Sequence, residues 1–317
     1  MKYSRCRWII EEIRWLFIRV IHKISGKYLI RRDKYGKYPL YNAVDCNKFI
    51  CNSIIDGEPF AFCRFSFVEM DLMIRCKTED FFGIKTYLKK KDTVDMFCIK
   101  GQEKRIGIRK FYELMIKAIS NADMLGVWVN LPMGDALVNS LDVANKLFVD
   151  ATGVEPYAYE SPWSEALKGK KVLIVSPFSK EVEEQYQKRE YIWDNKRVLP
   201  EFELKTVDSV WYFFNQKDPR FASWFEAYEY LYCQIMKEDF DIALLGCGAF
   251  GFPLAAEIKK AGKQAIHMGG AIQILFGIKG KRWDDTSIGK YYNEYWIRPG
   301  ENSKPKDADK LDNNCYW

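Results

Sequence analysis

Two hydrophobic rhythms alternate along this chain. Short, mostly apolar runs, polar only at their ends or at Arg64, occur at 59–65, 125–129, 171–175, 241–245 and 264–267. Between them lie stretches whose apolar residues return every three or four positions, at 67–76, 110–121, 135–148, 179–193, 222–237, 253–260 and 271–276. Short apolar runs predict strands buried on both faces, and the 3.6-residue period predicts helices. A weaker alternation at 202–210 predicts one further strand. Strands alternating with helices predict an α/β class, a Rossmann-like, mainly parallel sheet covered by helices on both faces. Ser66 with Glu69 three residues on has the spacing of a capping box, so strand 59–65 runs directly into a helix N-terminus.

The first 35 residues differ from the rest. Ile9, Ile10, Ile13, Leu16, Phe17, Val20, Ile21 and Ile24 form a helical stripe, flanked by Trp8 and Trp15, with Arg5, Glu12, Arg19 and Lys23 largely off it. Ten Lys or Arg against three acids give this segment +7, whereas the whole chain of 317 residues carries +6. The body is therefore close to neutral, which argues against a nucleic-acid groove. A basic amphipathic helix of this kind suits an anionic membrane surface, or packs on the protein's own core. The expected organisation is this N-terminal amphipathic helix at 1–35, a Rossmann-like domain at 36–285, and an aromatic segment with a polar, mobile tail at 286–317.

Length and a 48% hydrophobic content allow one large α/β domain with additions, and no run is long enough to span a bilayer. Nine cysteines without a CxxC pair and only two histidines make a Cys/His zinc site a poor fit. Reduced thiols point to a cytoplasmic protein.

Three places carry candidate chemistry. Gly246, Gly248 and Gly251 have GxGxxG spacing between a strand and a helix, where free backbone N–H groups accept phosphate. No acid stands about twenty residues on, at 264–268, where a nicotinamide enzyme would need one for the ribose. Arg64 closes a strand, and its planar fork of donors suits a phosphate; Ser66 opens the following helix, with Glu69 and Asp71 in its first turns as acid–base or metal-ligating carboxylates. Ser179, as an N-cap, and Lys180 follow strand 171–175, and His267 closes strand 264–267, each able to meet an anion.

These residues resemble a known family. The stretch Ile55-Asp56-Gly57-Glu58-Pro59-Phe60-Ala61-Phe62-Cys63-Arg64-Phe65 with Glu69 is similar to the opening motif of the GT-D fold glycosyltransferases, arginine, phenylalanine, glycine, aspartate, any residue, glutamate. Residues 244–277 resemble that family's second, glycine-rich block. Arg64, Phe65 and Glu69 match the first motif, while Ser66 and Phe67 replace its glycine and aspartate. The resemblance implies a Rossmann-like glycosyltransferase that moves a sugar from a nucleotide-diphosphate sugar to a hydroxyl of a lipid-linked or other surface glycan, as a peripheral enzyme of polysaccharide biosynthesis. It also implies a divalent metal (Mn or Mg) at the diphosphate, with Glu69 and Asp71 as its carboxylates, and Arg64, Ser66, Ser179, Lys180, Gly246, Gly248, Gly251 and His267 around the donor. A non-catalytic glycan-pathway binding protein and a Rossmann-type oxidoreductase are the alternatives.

Overall fold

The computed structural model describes residues 4–25, 32–84, 104–129, 134–212, 218–300, 303–305, 308 and 315–317. Among them nine strands form one sheet, in the order β1-β2-β5-β4-β3-β9-β8-β6-β7. The strands are β1 (Lys34–Tyr35), β2 (Tyr38–Tyr41), β3 (Phe60–Arg64), β4 (Met124–Val127), β5 (Leu147–Asp150), β6 (Lys171–Ser176), β7 (Glu203–Asp208), β8 (Ile242–Leu245) and β9 (Gln264–His267). Only the β1–β2 pair is antiparallel; β2–β5, β5–β4, β4–β3, β3–β9, β9–β8, β8–β6 and β6–β7 are all parallel.

The helices are α1 (Arg5–Ser25), α2 (Ala43–Asp56), α3 (Phe67–Phe82), α4 (Lys104–Asn121), α5 (Asp135–Asn139), α6 (Ser179–Tyr186), α7 (Arg189–Ile192), α8 (Trp224–Lys237), α9 (Gly251–Lys260), α10 (Ala271–Leu275) and α11 (Lys281–Asp284). Strand pleating divides them into two layers, because successive side chains point to opposite faces. Ala61, Cys63, Leu173, Val175, Ala243, Leu245 and Ala265 join one core with α3, α4, α8 and α9. Phe60, Phe62, Val172, Ile174, Ile242, Leu244 and Ile266 join the other with α2, α6 and α10. Their consecutive apolar residues are needed because both faces are covered.

Several expectations are corrected. The helix foreseen over 135–148 stops at Asn139, where Ser140 caps it and its Oγ donates to the Leu137 carbonyl at 2.7 Å. Its last residues form β5 instead. The helix foreseen over 179–193 breaks into α6 and α7, with Glu181, Val182 and Gln185 buried. The polar tail returns to the body: Cys315 is buried, and the Trp317 ring lies 5.9 Å from Phe178. None of the eight described cysteines is in a disulfide.

Candidate functional site

The site begins at the neighbouring strands β3 and β9, whose helices leave toward opposite faces of the sheet. After β3, α3 packs into the first core; after β9, α10 packs into the second. This divergence marks the carboxyl ends of β3 and β9 as the crevice position where open α/β sheets bind ligands. Arg64 bridges the two strand ends there. The guanidinium leaves β3, and Nη1 donates to the Met268 carbonyl just past β9 at 2.9 Å. The fork lies over the Trp128 ring, 4.8 Å from its centroid, and Nη2 is 3.9 Å from Glu155 Oε1. Trp128 is itself held by its Nε1, which donates to the Phe65 carbonyl at 2.9 Å. Burial lowers the pKa of Arg64, and the nearby Arg282 guanidinium adds to that, while Glu155, Tyr157 and Tyr316 oppose it. Arginine stays charged nonetheless. Arg282 Nη1 donates to the Tyr316 hydroxyl at 3.1 Å.

The glycine turn lies on the same edge, after β8. Each glycine has its own reason. A Cβ on Gly246 would sit 2.2 Å from Ile272 Cγ2, so glycine is required for α10 to pack there. Gly248 has φ +57°, and nothing lies within 4 Å of the position its Cβ would take, so its backbone faces open space. The turn then enters a 3₁₀ segment, Gly248–Phe250, and α9. A Cβ on Gly251 would meet His267 Cδ2 at 2.3 Å. His267 is therefore the floor beneath the turn and not its open side. Burial, then the Arg64 charge, lowers the imidazole pKa to about 3, with backbone groups of Arg64 and Gly248 pulling weakly the other way. It is a packed, neutral ring at neutral pH, and a phosphate reaching the turn would meet Gly248 first.

The two expected carboxylates are not brought together. On α3, Ser66 Oγ accepts from the Glu69 N–H at 3.4 Å, which is the cap. The Glu69 carboxyl is buried, its Oε2 has no hydrogen-bond partner, and burial pushes its pKa up to about 7, its own backbone N–H opposing. Asp71 lies roughly 200° further round the helix and is held by Arg75, whose Nε and Nη2 donate at 2.8 and 3.1 Å. It faces Glu12 of α1. Phe67, at the motif's aspartate position, stacks on Trp128 with centroids 5.5 Å apart. The divalent ion that the resemblance implies does not fit this donor set. Among the described residues no three His, Cys, Asp or Glu side chains converge, and hard cations take six or more oxygens. Beside Ser66 and Phe67 the surface forms only a crevice of about 10 Å³, lined also by Tyr35, Met70 and Trp128, room for a single water.

Ser179 and Lys180 belong to a separate part of the edge. The N-cap of α6 is Phe178, not Ser179. Ser179 Oγ instead donates to Asp208 at the end of β7, and Lys180 is exposed. Strands β8 and β9 stand between β6 and β3, so these residues are not drawn into the Arg64 crevice.

A family model described as the GT-D fold-like domain matches residues 105–275, more than half of the chain. The chain belongs to the GT-D-like family. The match includes the glycine turn and Glu155 but not Arg64 or Glu69. A solved structure described as "The highly conserved domain of unknown function 1792 has a distinct glycosyltransferase fold" is 15% identical, covering 73% of this chain and 78% of that one, with a TM-score of 0.45. The selenomethionine-substituted structure of that domain is 16% identical over the same shares, with a TM-score of 0.38. No curated protein matches.

Within this GT-D-like frame the sequence reading missed Trp128, Glu155 and Arg282. Trp128 was readable, as the aromatic just past a strand end. Glu155 and Arg282 carry no local signal. Glu155 is delivered by the 3₁₀ turn Ala151–Val154, capped by Asp150, whose carboxylate accepts from the Thr152 N–H at 2.9 Å.

Proposed function

We propose that this GT-D-like chain transfers a sugar from a nucleotide-diphosphate sugar to a hydroxyl of a glycan acceptor, lipid-linked at the cytoplasmic face of a membrane. The observation that carries this reading is Arg64 lying across the β3–β9 crevice with Gly248 open on the same edge. In the reaction the bond from the anomeric carbon to the β-phosphate oxygen breaks, and its electron pair leaves with the nucleotide diphosphate. Arg64, Arg282 and the N–H groups entering α9 hold the charge that develops there. The acceptor oxygen forms the new bond, and its proton passes to a carboxylate. Glu69, with one unpartnered oxygen and a pKa near neutrality, is the proposed acceptor of that proton. Glu155 is proposed to orient Arg64.

The test is turnover with a panel of nucleotide sugars and glycan acceptors, with and without manganese, read as released nucleotide diphosphate. Turnover with one donor, lost in Glu69→Gln, supports the reading; Glu69→Gln turning over like the wild type removes Glu69 from the chemistry. A second reading, glycan-pathway binding without catalysis, is favoured by Phe67 stacked on Trp128 where the family motif has an acid. Donor binding with no turnover for any acceptor would select it.

A further inference from the structure

Helix α1 touches the body along one side only. Trp8 is 2% exposed, with its ring 5.3 Å from Phe81 at the end of α3. Glu11 accepts from Asn139 Nδ2 at 3.1 Å, and Glu12 lies beside Asp71 and Arg75. At 100° per residue these three positions share an arc of the helix. The opposite arc carries Ile10, Ile13, Phe17 and Ile24, which are 66%, 60%, 65% and 81% exposed, with Ile9, Leu16 and Val20 also exposed. Such a contiguous apolar surface on a charged protein marks an interaction site. Exposed basic residues line both borders of this arc, Arg7 and Arg14 on one, Arg5 and Lys23 on the other.

We propose that this outward face of α1 lies in the headgroup boundary of an anionic bilayer, its border arginines and lysine at the lipid phosphates. The charge distribution selects this occupant. Residues 1–35 carry +7 on a chain of +6, and helix α1 alone holds five Arg or Lys against two Glu, so the chain's excess positive charge is concentrated around the helix that displays the apolar face. A second copy is disfavoured, because pairing α1 with itself about a two-fold axis sets cationic borders against each other. No described helix is long and apolar enough to cross a membrane, so the helix lies in the surface plane. Trp8 beside Phe81 and Glu12 beside Asp71 make α1 antiparallel to α3. Its second half therefore runs toward the sheet end at which β3 closes with Arg64. This docking stands on the helix alone, apart from the sugar-transfer reading.

The experiment is cosedimentation of the full chain with phosphatidylglycerol–phosphatidylcholine vesicles and with pure phosphatidylcholine vesicles, together with sedimentation velocity without lipid. Wild type is expected to bind the anionic vesicles at least tenfold more tightly than the neutral ones. The pair Ile13→Glu and Phe17→Glu should lose about 100-fold, about tenfold for each buried apolar side chain. Arg14→Glu with Lys23→Glu, which keeps the apolar face, should lose at least about 25-fold, about fivefold for each charge. Unchanged melting temperatures check that both variants are folded. Wild type that ignores anionic vesicles, or the Ile13→Glu and Phe17→Glu variant that sediments with them undiminished, overturns the proposal. A wild-type dimer that the same variant converts to monomer also overturns it, in favour of a second copy.

Discussion

Replacing Glu69 with glutamine should stabilise the protein at alkaline pH and leave it nearly unchanged in acid. The Glu69 side chain is 5% exposed, and burial raises its pKa from 4.5 to about 7. In the unfolded chain the carboxyl ionises near its ordinary value; in the fold it keeps its proton until about pH 7. Between those values the folded state binds more protons than the unfolded state, so stability falls as pH rises. At about 1.4 kcal/mol per pH unit, the loss accumulates to about 3 kcal/mol above pH 7. Glutamine approximates the neutral carboxyl and removes this loss. Urea denaturation of wild type and Glu69→Gln at pH 5 and pH 8.5 isolates the effect, because Glu12 and His267 titrate in both proteins and cancel in the difference. The expected result is a gain for the variant about 2–3 kcal/mol larger at pH 8.5 than at pH 5. A gain or loss of equal size at the two pH values would show that the carboxyl is not forced to hold a proton, and would refute the reasoning.

The glycine turn gives a paired test by thermal denaturation. Gly251→Ala drives a Cβ into His267 and should cost about 1–3 kcal/mol from overpacking. Gly248→Ala meets only the left-handed backbone penalty of about 1–2 kcal/mol in open space, and mutating His267 to alanine alongside should rescue the first variant but not the second. His267 itself should not titrate near its ordinary 6.5, because the folded imidazole takes a proton only near pH 3. Stability contributed by its burial is then complete above pH 6.5 and lost as pH falls toward 3, and an NMR titration in which its ring protons shift near 6.5 would contradict this. Trp8→Ala should speed hydrogen exchange across α1 while leaving β3 amides protected; equal loss in both would mean that α1 is part of the global unfolding unit.

The parallel sheet was legible because covering both faces demands runs such as Val172, Leu173, Ile174 and Val175, which no half-exposed strand would carry. Strand β5 was hidden by coincidence of spacing. Leu137, Leu141 and Phe148 fall at helical intervals, yet the chain turns at Ser140 and Phe148 is in the sheet. Helix α2 was overlooked although Cys46, Ile50 and Ile54 repeat every four residues between an Asn42 N-cap and a Gly57 C-cap. At the site, the local signals placed Arg64, Ser66 and the glycine turn at strand ends, and the fold puts Arg64 and the turn on one edge. Periodicity could not show that Asp71 turns to Arg75, nor that Glu155, carried by a distant segment, reaches Arg64. Those relations are set by strand order and by the return of the chain end.

The central claim is that Arg64 and the open turn at Gly248 face one anion site. Isothermal titration with a nucleoside diphosphate, on wild type, Arg64→Met and Gly248→Val, tests it most directly. The account predicts measurable wild-type binding that falls tenfold or more in each variant; Arg64→Met binding the diphosphate as tightly as wild type would contradict it.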